Sequence, residues 1–165
     1  MSHSVVHIIE TAEPQPGGVS CVLPGLCAHQ RERDWQVTVV SRENAQGFEA
    51  SIAAADLVHI HGLYGQMCKR VWPVLKRSGR PYLVSTYAML MPRPYRTDRW
   101  HRFTQDWSYQ RSMLRKAFCL HVLSAAESEM IKRKGYHRRV KVLPIGVQEN
   151  VTEDAASPTL RPRFR

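Results

Sequence analysis

The segment VVHIIETAEPQPGGVSCVLPGL, Val5 to Leu26, sets how the rest of the chain is read. Val5 to Ile9 form a short, continuous, β-branched run, the pattern of a buried strand. From Gly18 to about Arg33 the spacing changes, with Val19, Val22, Leu23, Leu26 and Cys27 on one helical face. Pro24 interrupts that face and implies a kink or a late start, because proline lacks the N–H that a helix interior uses. Between strand and helix stand two prolines and the pair Gly17–Gly18. Glycine lets a backbone approach a ligand closely, and a following helix N-terminus favours an anion. The stretch is not G-x-G-x-x-G and no G-K-[ST] follows, so it is neither a dinucleotide fingerprint nor a phosphate-binding loop. On spacing alone, a tight turn and a ligand cradle both remain open.

The same strand-then-helix alternation recurs about six times. Strands are expected at Gln36–Ser41, Leu57–His61, Pro81–Thr86, Phe118–Leu123 and Arg139–Leu143. Helices are expected at Ala50–Ala55, at Tyr64–Arg77 with Pro73 inside and Gly79 as its stop, and at Asp98–Ala117 with Trp100, Phe103, Trp107 and Leu114 on one stripe. Ser124 to Glu127 reads as a capping box opening a helix to Lys134, each side chain satisfying an orphan backbone donor. Such alternation predicts an α/β fold, a doubly wound Rossmann-like parallel sheet with helices on both faces and right-handed crossovers. Residues 1–147 read as one domain. Residues 148–165 lack apolar periodicity, carry Pro158 and Pro162, and read as a disordered basic tail.

The 165 residues suffice for one domain with a core, and no apolar run reaches the ~18 residues of a membrane span. No signal peptide is read, so a cytoplasmic location is expected. Cys21, Cys27, Cys68 and Cys119 form no C-x-x-C pair and read as reduced core thiols. The formal charge of +10 favours anionic partners. The excess is uneven: Arg93 to Lys116 holds seven basic and two acidic residues, and Ile131 to Lys141 holds six basic and none acidic. A solvated arginine-rich surface is the plain alternative. No recognition-helix or aromatic-basic motif supports nucleic-acid binding, which is set aside. No metal-ligand cluster is read: the alternation of the third strand is taken to send His59 and His61 to opposite faces, unable to hold one ion together.

Ligands of an open α/β sheet sit beyond the carboxyl ends of its strands. Gly17–Gly18, His61–Gly62, Tyr87 with its loop, and Ser124–Glu127 are all placed on that rim. The ordered set PGGVS, ADLVHIHGLYG, GRPYLVSTYAMLMP, LHVLSAAE and VKVLPIGV resembles the N-terminal half of family 4 glycosyltransferases, over about Val5 to Val147. The resemblance implies a GT-B N-terminal-type domain and sugar transfer from a nucleotide-sugar to an acceptor, usually with retention and without a bound metal or cofactor. It implies that Gly17 and Gly18 approach the donor, and that His61 and Gly62 lie near the acceptor side. The family's His-Gly after the fourth strand is Tyr87–Ala88 here, and the asparagine of its P-N-G-V turn is Ile145. Tyr87 thus takes the histidine's place, although a phenol of pKa near ~10 is a poor proton carrier at neutral pH.

Two functions follow as expectations, and a third is weighed against them and set aside. The first is a glycosyltransferase half that binds a nucleotide-sugar and a sugar or lipid-linked acceptor, and that is inactive without a C-terminal partner chain or self-association. In that reading Arg93, Arg96 and Arg99 face an anionic acceptor or the inner face of a membrane. The second is a non-catalytic binding module or a degenerate remnant of such an enzyme. The third, a charge-driven nucleic-acid binder, rests on net charge alone.

Overall fold

The computed structural model describes residues 2–13, 19–91 and 109–146. Six strands, β1 (Ser4–Ile8), β2 (Gln36–Val40), β3 (Leu57–His61), β4 (Tyr82–Ser85), β5 (Cys119–Val122) and β6 (Val140–Val142), form one sheet in the order β2-β1-β3-β4-β5-β6. Every pairing is parallel. The described helices are α1 (Val19–Arg31), α2 (Phe48–Ala54), α3 (Gln66–Ser78), α4 (Arg111–Lys116) and α5 (Ala125–Arg133). The doubly wound sheet expected from the sequence is present. Its element ends differ from the expected ones by a residue or two.

Register explains why β-branched runs fill the central strands. One face carries Val6 and Val58 in one row, and Ile8, Ile60, Val84 and Leu120 in the next. These side chains are buried against Phe48 and Ile52 of α2, Val71 and Leu75 of α3, Met113 and Leu114 of α4, and Ile131 of α5. On the opposite face Ile9 packs with Leu23 and Cys27 of α1, beside Val37 and Val39. The Tyr82 hydroxyl donates to the Met113 carbonyl at 2.6 Å and ties α4 to the sheet.

Several local expectations change. α1 begins at Val19 and runs through Pro24 without the late start that the proline suggested. α3 likewise contains Pro73 and ends at Gly79, whose positive φ of 64° and N–H bond to the Leu75 carbonyl make the expected stop. Cys27 and Cys68 are buried, but Cys21 is exposed and Cys119 only partly covered, so the four thiols are not all in the core. Of the helix expected over Asp98–Ala117, the described part is α4. Trp100, Phe103 and Trp107 lie outside the described residues, as do Gly17, Gly18, Arg93, Arg96, Arg99 and the segment 148–165.

The chain runs from β1 outward to β2, then returns to lay β3 on the other side of β1. The strand order reverses between β1 and β3, and that switch point opens a crevice at the carboxyl edge of an α/β sheet.

Candidate functional site

A cleft of about 490 Å³ opens at the carboxyl edge. Ile9 and Glu10 follow β1, His61 and Gly62 end β3, Tyr87 follows β4, Leu123 follows β5 and Ile145 follows β6, and all line it. His61, Gly62 and Tyr87 therefore share one rim, as expected. A larger cleft, of about 800 Å³, lies at the opposite, amino edge and is lined by Arg115, Phe118, Lys132, Arg138 and Arg139. It gathers much of the basic run 131–141 away from the first cleft. The carboxyl-edge cleft is the candidate site, because open α/β sheets bind ligands beyond the carboxyl ends of their strands, where the helix N-termini that favour anions also lie.

The floor of the cleft is a polar layer on the α1 face of the sheet. His7 pairs in register with His59, and His61 with Ser85, which in turn pairs with His121. Residues two apart on a strand share a face. His59 and His61 therefore point the same way, with ring centroids 3.8 Å apart. This corrects the opposite-face reading: β3 alternates with period two, and two histidines separated by Ile60 must lie together.

Two hydrogen-bond chains run through this layer. In the first, His7 Nε2 lies 2.7 Å from Gln30 Oε1, His7 Nδ1 lies 2.8 Å from His61 Nε2, and His61 Nδ1 lies 2.9 Å from the Tyr87 hydroxyl. An amide oxygen only accepts, so His7 Nε2–H donates to Gln30, His61 Nε2–H donates to His7, and the Tyr87 O–H donates to His61. In the second, His121 Nε2–H donates to the Leu143 carbonyl at 2.8 Å. His121 Nδ1 then accepts from Ser85 Oγ at 2.7 Å, and Ser85 Oγ accepts from His59 Nε2 at 2.7 Å. Each direction requires neutral imidazoles. Burial lowers the pKa of His7, Gln30 opposes that shift, and the Arg31 charge adds to it. Burial, then the neighbouring histidines, hold His59 and His61 well below the ordinary histidine value. Burial raises Tyr87 above the ordinary phenol value.

Tyr87 reaches His61 through an unusual turn. Tyr87 and Ala88 have φ of 48° and 58°, both in the left-handed region that a Cβ disfavours. Two such residues in succession cost on the order of 1–3 kcal/mol each, a strain typical of functional sites. Gly62, at φ 84°, passes close to Met89, whose Cε would stand 3.3 Å from an added Cβ.

Two carboxylates frame the cleft differently. Glu10 Oε2 accepts from the Met67 N–H at 3.0 Å, placing an anion at the start of α3. Gly65 leaves room for it, since a Cβ there would collide with Glu10 Oε2. Ser124 caps α5, its hydroxyl accepting from the Glu127 N–H at 3.2 Å. Glu127 departs from the reciprocal half of the expected box: Oε2 accepts from the Leu123 N–H at 3.3 Å rather than from the Ser124 N–H, and Oε1 accepts from the Thr86 hydroxyl at 2.5 Å. It thereby bolts the end of β4 to the start of α5.

His7, Gln30, His121 and Glu10 were not singled out in the sequence. A histidine set inside an otherwise apolar strand, in VVHII and again in CLHVL, is the signal that would have found His7 and His121.

A switch-point crevice at the carboxyl edge of a parallel sheet is where α/β proteins commonly hold small ligands. Residues 45–146, more than half of the chain, match the Glycosyl transferase 4-like domain. The chain belongs to that family. No curated protein and no solved structure matches it. The matched region holds β3 to β6 and the cleft residues from His61 to Ile145. Among the described residues no helix is long and apolar enough to cross a membrane.

Proposed function

We propose that the carboxyl-edge cleft is the acceptor side, and part of the donor side, of a site for sugar transfer from a nucleotide-sugar. The observation that carries this reading is the His61–Tyr87 pair on a five-strand cleft in a glycosyl transferase 4-like domain. Both nitrogens of His61, neutral because it is buried, are engaged by His7 and Tyr87, and the Tyr87 oxygen, its O–H already donated to His61, is left to accept from a sugar hydroxyl. Tyr87, at the family's histidine position, orients His61 by donating its O–H to it and does not relay a proton during transfer. Gly17 and Gly18 approach the donor, and Arg93, Arg96 and Arg99 meet an anionic acceptor or a membrane headgroup. A second GT-B domain completes the donor site. Exposed Val142 and Leu143 on the edge beyond β5 are apolar surface such a domain would cover.

Thermal unfolding of the full chain in UDP-, GDP- and ADP-sugars tests the reading. A ligand at ~100 times its dissociation constant should stabilise the fold by about 2.7 kcal/mol, and Tyr87→Phe and His61→Gln should reduce the gain. Stabilisation that both variants retain in full would place the ligand elsewhere. No stabilisation by any sugar nucleotide or free sugar would favour a non-catalytic remnant.

A further inference from the structure

The proposed sugar-transfer reading uses only the cleft-facing edge of the histidine layer. One nitrogen from each of His7, His59 and His61 lies within 4.8 Å of the others. We propose that these three imidazoles form a binding site for one divalent transition-metal ion of the zinc class.

The argument is the arrangement of the other three nitrogens. His7 Nε2 is held by Gln30 Oε1, His59 Nε2 by Ser85 Oγ, and His61 Nδ1 by the Tyr87 hydroxyl. Each ring is thus braced from behind by an oxygen able to accept its N–H. His7 Nδ1, His59 Nδ1 and His61 Nε2 are left to face a shared ion. Metal-bound histidines show this same bracing, which fixes ring orientation and tautomer. Ser85 is itself anchored through His121 to the Leu143 carbonyl, so the brace behind His59 extends across two more strands.

Register makes the cluster rigid. His7 and His59 face each other across the β1–β3 pairing, and His61 follows two residues later on the same face. Three histidines on paired central strands are positioned by the sheet, without reliance on a loop. A tetrahedral ion with bonds of about 2.0–2.1 Å places its ligand nitrogens roughly 3.4 Å apart. His7 Nδ1 and His61 Nε2, at 2.8 Å, must part by about half an ångström on that scale. The proton now between them is relocated without net loss: His61 exchanges Nε2–H for Nδ1–H, and Tyr87 becomes the acceptor of that bond. The donor set is nitrogen alone, with no carboxylate in the cluster. That selects for zinc, cobalt, nickel or copper over magnesium and calcium, which want oxygen.

The test is titration of the chelator-treated full chain, free of any histidine tag, with Co²⁺. One equivalent should bind with the visible ligand-field absorption of a four-coordinate site, and Zn²⁺ should bleach that colour. His59→Gln should abolish it. Gln30→Leu and Ser85→Ala, which remove only a brace, should weaken binding about 10–100-fold. Because a histidine variant can fail to fold, the wild-type chain is also read directly. Imidazole ¹⁵N resonances of His7, His59 and His61 should shift together on stoichiometric Zn²⁺. A folded wild-type chain that binds no Co²⁺ or Zn²⁺ would overturn the proposal. So would binding that shifts only other histidines, such as His137 at the amino edge.

Discussion

In chelator-containing buffer, the domain loses stability steeply as the pH falls below 6.5, the ordinary histidine value. His7, His59 and His61 are neutral in the fold, with pKa values lowered first by burial. The unfolded chain binds protons at these rings near 6.5, whereas the folded chain resists them. Stability is therefore complete above 6.5 and is lost as the pH descends toward the lowered folded values. Each ring contributes a slope of at most about 1.4 kcal/mol per pH unit, roughly 4 for all three, against a typical total of about 5–15 kcal/mol. The other titratable groups facing the layer are His121, Tyr87 and Arg31. The Arg31 charge adds to the shift at His7. Urea midpoints at closely spaced pH values above about 5, before unpaired carboxylates titrate, read this out. A flat profile through that window would contradict the neutral buried layer, and His59→Leu should shallow the slope.

Replacing Thr86 by valine should cost about 2–3 kcal/mol, the scale for removing a buried hydrogen bond to a charged group. The two side chains are of nearly equal volume, so the loss reads the hydroxyl itself. Thr86 and Glu127 are both fully buried. Without the 2.5 Å bond, Glu127 keeps only the Leu123 N–H from outside its own helix, at 3.3 Å. A buried carboxylate so exposed to a missing partner is expensive. Thr86→Ser, which restores a donor, should recover most of the stability, while Thr86→Val with Glu127→Gln should cost less than the two changes summed. A valine variant within about 0.5 kcal/mol of the wild type would mean that the bolt between β4 and α5 contributes little.

The fold was legible because strand burial leaves a local mark. Val5–Ile9, Leu57–His61 and Phe118–Leu123 are continuous apolar runs, and each stands before a helical period. The rim was legible for the same reason: once strands are placed, the loops after them must share an edge. The histidine layer was not, although half of it is local. Period two puts His59 beside His61, and reading them onto opposite faces hid the pair. The other half requires register: nothing in the sequence aligns His7 with His59, or His121 with Ser85, until strand order is known. Glu127 shows a similar limit. Its spacing from Ser124 gives the cap, but its bond to Thr86 joins residues 41 apart. The left-handed turn at Tyr87–Ala88 carries no glycine to announce it.

The central claim is that the carboxyl-edge cleft, with His61 and Tyr87 on its floor, is where this glycosyl transferase 4-like domain meets its sugar substrates. The most direct measurement is a histidine imidazole NMR spectrum of the full chain, titrated with nucleotide-sugars and free acceptor sugars. The account predicts saturable shifts at His61, relayed to His7, with His137 unmoved. Shifts confined to His137 would place the ligand in the basic cleft at the amino edge and contradict the account.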